Sequence, residues 1–135
     1  MLGMGGANEG VPAKETTDRT GKRVMAAATV RMTVGWSVPV GRSRSVTEAL
    51  NSLMVAARAE PGFVYSSLST EFGQNVGLKY IEEWASEAHL QRMLRSDHFS
   101  ALAALMDEAL GPPSVDFTLP GGSRGLEYVQ ESRFS

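Results

Sequence analysis

The stretch YIEEWASEAHLQRMLRSDHF, residues Tyr80–Phe99, decides how the chain is read. From Tyr80 to Trp84, aromatic and β-branched side chains alternate with polar ones, the pattern of a strand end. Ser86 then opens a segment in which Leu90, Met93 and Leu94 fall together at helical spacing. Ser96-Asp97 offers a second N-cap before another stripe of Phe99, Leu102, Ala103, Met106 and Leu110. The stretch is therefore a strand-to-helix junction with a kink, and it also carries both histidines of the chain and one of its two tryptophans.

Outward from it, FVYSSLSTEF and VGLKYIEEW flank the turn GQN and predict a hairpin over Phe63–Phe72 and Val76–Trp84. Upstream, SVTEALNSLMVAARAEPG places Ser45 and Glu48 at capping-box spacing and sets Val46, Ala49, Leu50, Leu53, Met54 and Ala57 on one face. That helix must stop at Pro61-Gly62. Before it, the even positions from Val24 to Val34 are apolar, which predicts a half-buried strand, with GWSVPVGRSR as the linker. Downstream, Gly111-Pro112-Pro113 ends the second helix and SVDFTL alternates as a last strand.

The order βαββαβ is the split βαβ, ferredoxin-like arrangement of an α+β protein with an antiparallel sheet. The expected divisions are an N-terminal arm over 1–22, one domain over 23–120, and a tail over 121–135. Two helices cover one sheet face, and an apolar second face would need a partner subunit; Val30 and Phe117 are candidates for it. The apolar residues of LEYVQESRF suggest a tail that docks on a neighbouring subunit.

Composition excludes several classes of function. With 135 residues, 42% of them hydrophobic, the chain holds one core and not two. A net charge of -2, without runs of one sign, gives no footprint for nucleic acid or anionic lipid. The absence of cysteine excludes disulfides and thiolate chemistry. No apolar run approaches a membrane span, and MLGMGGANEG lacks a signal-peptide pattern, so the expectation is a cytoplasmic protein. Gly3 and Gly5 are followed by Asn8 where a dinucleotide fingerprint needs its third glycine, and Thr16 replaces the glycine that a phosphate loop would need before Gly21-Lys22.

The order of elements, AEPGFVYSSL entering the second strand, and the junction with Glu83-Trp84, Ser86 and Ser96 to His98 resemble the antibiotic biosynthesis monooxygenase family of dimeric α+β barrels. The resemblance covers roughly Arg23 to Pro120. It implies a homodimer that oxidises a small phenolic or quinol substrate with molecular oxygen, with no metal, flavin or other cofactor. Such chemistry asks of the protein a dry pocket, a proton acceptor and donors for the resulting anion. Relatives often carry a histidine where Met93 stands.

On this reading His98, Trp84 and Tyr80 are the candidate catalytic residues, with Tyr65, Arg31, Met93 and His89 lining the substrate site. Each also has a plainer explanation. A tryptophan at a strand end packs, a histidine in a first helical turn is solvated, and tyrosines of a hairpin fill a core. Tyr65 and Tyr80 could share one face. An inward Arg31 would need a partner such as Glu82, whereas the barrel rim would leave it exposed. Glu82 and its neighbour Glu83 point to opposite faces and cannot pair. Two histidines without a carboxylate at helical spacing make no metal site. The alternative from another class is a non-catalytic barrel that binds a small apolar ligand, consistent with Met93. Haem oxidation fits less well, because the first strand offers Thr29 and Arg31 but no asparagine. A related isomerase is a further variant of the same fold.

Overall fold

The computed structural model describes residues 29–134, together with the backbone of two short paired strands, β1 (Glu15–Thr17) and β2 (Arg23–Met25). The rest of the expected arm and the expected strand start between Met25 and Thr29 lie outside the described residues. From there the chain runs β3 (Val30–Pro39), α1 (Val40–Ala57), β4 (Phe63–Phe72), β5 (Asn75–Trp84), α2 (Glu87–Leu94), α3 (Asp97–Met106), β6 (Ser114–Leu119), β7 (Gly122–Arg124) and α4 (Glu127–Phe134). The five strands from β3 onward form one antiparallel sheet in the order β4-β5-β3-β6-β7. The ferredoxin-like α+β core is as the pattern of elements implies, with β7 and α4 added at its end.

The expected linker over 35–44 is instead strand and helix. Gly35 sits where a Cβ would come within 3.0 Å of Ser114 Oγ, so a larger residue there would need the serine hydroxyl to shift. Pro39 ends the strand as the N-cap of α1 without a side-chain cap. The capping box expected at Ser45 does not form, because the helix already includes it. Ser45 Oγ donates to the Arg42 carbonyl at 3.0 Å, one turn back. The kink is as expected: Ser86 caps α2 and Ser96 caps α3.

β3 shows strict alternation, with Val30, Met32, Val34, Trp36 and Val38 buried. These join Val76, Leu78 and Tyr80 of β5, Phe117 of β6, and Leu50, Leu90, Phe99 and Leu102 of the helices in one core. Val30 and Phe117 therefore face the helices and not the open side. The open face carries Arg31, Thr33 and Ser37 on β3, Lys79, Ile81 and Glu83 on β5, and Asp116 and Thr118 on β6, by their paired register. It is largely polar, in contrast to the apolar second face expected from the strand patterns.

The tail also differs from expectation, since α4 docks on its own α2. Tyr128 donates to Glu87 Oε2 at 2.7 Å and accepts from Gln91 Nε2 at 3.2 Å. Arg133 Nη1 donates to the Leu94 carbonyl at 2.7 Å, which satisfies an acceptor left free by the end of α2. No helix among the described residues is long and apolar enough to cross a membrane.

Candidate active site

The period of a strand puts Tyr80, Glu82 and Trp84 on one side of β5, the side the helices cover. Across from them, Ser96 caps α3 by accepting from the Phe99 N–H at 3.4 Å and turns its hydroxyl to the Met93 carbonyl at 2.6 Å. This fixes His98 in the first turn of α3, above β5. The ring reaches Glu82, with Nε2 and Oε2 2.6 Å apart.

Glu82 has 0% exposure, a rare state for a carboxylate, and it persists only when its oxygens are satisfied. Three donors converge on it. Trp84 Nε1–H reaches Oε1 at 3.2 Å, and the Tyr80 hydroxyl donates to the same Oε2 that faces His98. Burial, then the charge and hydrogen bond of Glu82, holds the Tyr80 phenol far above its ordinary range, so it remains a donor. For His98, burial acts against the imidazolium. The hydrogen bond and charge of Glu82 and the more distant charge of Glu60 outweigh it, and the pKa rises. Of the four, His98 keeps a trace of access, with its side chain 6% exposed.

The structure thus brings His98, Trp84 and Tyr80 together, but through a residue that sequence reasoning had placed elsewhere. Glu82 was considered as a partner for Arg31. Arg31 instead pairs with Glu83, its direct cross-strand neighbour on the open face, with Nε 3.0 Å from Oε2. Alternation itself held the missing signal: a glutamate between Tyr80 and Trp84 on a buried face has to find donors there.

The remaining candidates lie apart. Tyr65 is 49% exposed on the open face, opposite Glu83, because a bulge between Phe63 and Tyr65 shifts the register of β4. It does not share a face with Tyr80. Met93 is buried in the core. His89 Nδ1 bonds Ser86 Oγ at 2.7 Å, and its ring lies against Gly62 so closely that no Cβ fits there. It serves the junction between the β4 entry and α2. Among the described residues, no three His, Asp or Glu side chains gather closely enough to hold a metal ion. A separate depression of about 480 Å³ opens on the other side of the sheet, over Gly35, Ser37, Gly77, Lys79 and Ser114.

A carboxylate beneath an imidazole, with the imidazole at the edge of solvent, is an arrangement suited to accepting and returning a proton.

Residues 29–105 match the family model described as antibiotic biosynthesis monooxygenase. Among solved structures, a conserved protein from Methanosarcina mazei Go1 is similar at TM-score 0.59 and 20% identity, over 67% of this chain and 91% of that one. A Nitrosomonas europaea protein provisionally described as an antibiotic biosynthesis monooxygenase is similar at TM-score 0.58 and 13% identity, over 66% and 86%. A Mycobacterium tuberculosis protein is similar at 0.57 and 19%, over 69% and 95%. At these identities the likeness is one of fold. No curated protein matches the chain.

Proposed function

The chain belongs to the antibiotic biosynthesis monooxygenase family, and from that premise we propose that it oxidises a small phenolic or quinol substrate with molecular oxygen, the protein supplying a base and no redox centre. The observation that supports this reading is the convergence of Tyr80, Trp84 and His98 on one buried carboxylate, which leaves a strengthened base at the head of α3.

In this reading His98 takes the phenolic proton, and the electron-rich anion passes one electron to dioxygen. The substrate radical and superoxide then combine, forming a C–O bond at a hydrogen-bearing ring carbon ortho or para to the oxygen. The resulting peroxide receives the proton held by His98. Loss of the remaining ring C–H proton and cleavage of the O–O bond release water and leave a quinone. The substrate gives four electrons to one dioxygen, of which one atom enters the product and the other the water. Removing the first proton is the step the site addresses, because an anion transfers an electron far more readily than its conjugate acid.

The same reading includes a homodimer in which the open sheet faces meet. Small side chains at Gly35, Ser37, Gly77 and Ser114 would let a second sheet approach. A second reading, a barrel that binds a small apolar ligand without turnover, is favoured by Met93, which lies buried where relatives often carry a histidine. Oxygen uptake separates the two. Uptake above a heat-denatured control with any member of a panel of quinols and anthrones supports the enzyme, and none with any member favours the binder.

A further inference from the structure

We infer that Glu82 is the positioning residue of this site, holding His98 as the Nε2–H tautomer and leaving Nδ1 as the proton-accepting lone pair. The inference rests on the reading of His98 as the base. Neutral imidazole has two tautomers of similar energy, and the hydrogen bond made by one nitrogen decides which of them is present. Here Nε2 and Oε2 are 2.6 Å apart, a distance at which one of the two atoms must carry a proton.

The other partners of Glu82 place that proton. Indole N–H can only donate, and the Tyr80 hydroxyl donates as well, so both oxygens of Glu82 already serve as acceptors and Oε2 accepts from His98 too. Nδ1 has no hydrogen-bond partner among the described residues. The His98 side chain keeps 6% of its surface exposed. The atom left free is thus on a ring whose orientation is held from behind.

The charge of Glu82 has a second effect. When Nδ1 takes a proton, the imidazolium forms in the first turn of a helix, where the backbone dipoles oppose a cation. Glu82 offsets both that field and the burial of the ring. The arrangement parallels the carboxylate of a Ser-His-Asp triad, which orients its histidine and does not itself leave the ionised state.

Nitrogen-15 NMR of the imidazoles in the full, substrate-free chain tests this without reference to turnover. The wild type should show His98 as the Nε2–H tautomer at high pH and a titration midpoint above 6.5, the ordinary value. In Glu82→Gln the carboxylate charge is gone, burial acts with little opposition, and the midpoint should fall below 6.5. A wild-type His98 that is chiefly Nδ1–H, or a midpoint that is the same in both proteins, overturns the inference. The wild-type tautomer alone decides the matter if the variant does not fold. With a substrate in hand, Glu82→Gln should lower kcat about tenfold or more at unchanged KM and move the acidic limb of the pH profile, where the base becomes protonated, with the NMR midpoint. The expected tautomer without oxygen uptake leaves the positioning role intact and removes the monooxygenase reading, and uptake with the wrong tautomer does the reverse.

Discussion

His98 Nε2 and Glu82 Oε2 meet at 2.6 Å from positions 16 residues apart, joining the first turn of α3 to the C-terminal part of the buried face of β5. The pair ties helix to sheet through a fully buried carboxylate, so it bears on stability as well as on the proposed chemistry.

Stability should fall as pH rises. The folded pKa of His98 lies above its unfolded value of 6.5, with Glu82 on β5 and Glu60 beyond α1 facing the ring. Below 6.5 both states hold the proton and the pair contributes in full. As pH rises, the unfolded chain releases its proton first, and the contribution is lost through the folded pKa. Urea unfolding of wild type and His98→Gln from about pH 5.5 to 9 should show a difference in stability that shrinks with pH. A difference that grows with pH would contradict the assignment.

Removing one donor should cost less than removing the hub. Tyr80→Phe takes away a hydrogen bond to a charged group, worth about 1.5–3 kcal/mol, and leaves Glu82 with His98 and Trp84. Glu82→Ala leaves three donors without their buried acceptor and should cost about 3–5 kcal/mol. Equal losses in urea melts would mean that Glu82 is not the centre of the network.

His98 and His89 should separate cleanly in turnover once a substrate is found. His98→Ala should lower turnover by about 10²-fold or more, the range of a lost general base. His89→Ala should change it by less than about threefold, since its ring is occupied by Ser86 and Gly62 away from Glu82. Small and equal effects with an intact circular dichroism spectrum would leave neither as the base.

Much of the fold was legible because local signals were sufficient for it. Pro61-Gly62, Ser86, Ser96 and Gly111-Pro112-Pro113 each act through nearby backbone, and alternation marked the hairpin. Long-range register was not legible. The bulge that turns Tyr65 outward, the pairing of Arg31 with Glu83, and the parity that aims Val30 and Phe117 at the helices all depend on which strand lies beside which. The capping-box pattern at Ser45 misled for the same reason, since Pro39 had already set the helix start. In the site, Tyr80, Trp84 and His98 were visible by residue type. Glu82 entered only as a partner for Arg31, because nothing local in the sequence shows three donors converging on a strand glutamate.

Gly62→Ala should destabilise the chain through two separable causes. Gly62 has φ +82°, a left-handed conformation that costs an alanine roughly 1–2 kcal/mol, and its new Cβ would overlap the His89 ring. His89→Ala removes the ring contacts and leaves the closer approach of its own Cβ together with the backbone cost. The double variant should therefore be more stable than the sum of the single losses predicts, by about 1 kcal/mol or more in a urea double-mutant cycle. Strict additivity would show that the ring moves aside freely.

The proposed dimer is tested by two substitutions on opposite sides of the same sheet. Phe117 has 0% exposure under the helices, so Phe117→Asp buries a carboxylate with no donors, a cost of several kcal/mol against a total stability of about 5–15. That variant should fail to fold whatever the oligomeric state. Ile81 lies on the open face between Thr33 and Ser67, only partly buried in the single chain, so Ile81→Asp can hydrate its charge and keep the fold. If the open faces meet in a dimer, however, the same carboxylate is enclosed between two sheets and association should be lost. Sedimentation at micromolar concentration should then show a wild-type dimer and a folded Ile81→Asp monomer, with far-UV circular dichroism unchanged. A monomeric wild type removes the dimer, and a variant that still dimerises moves the interface to another face, the exposed edge of β4 being the next to test.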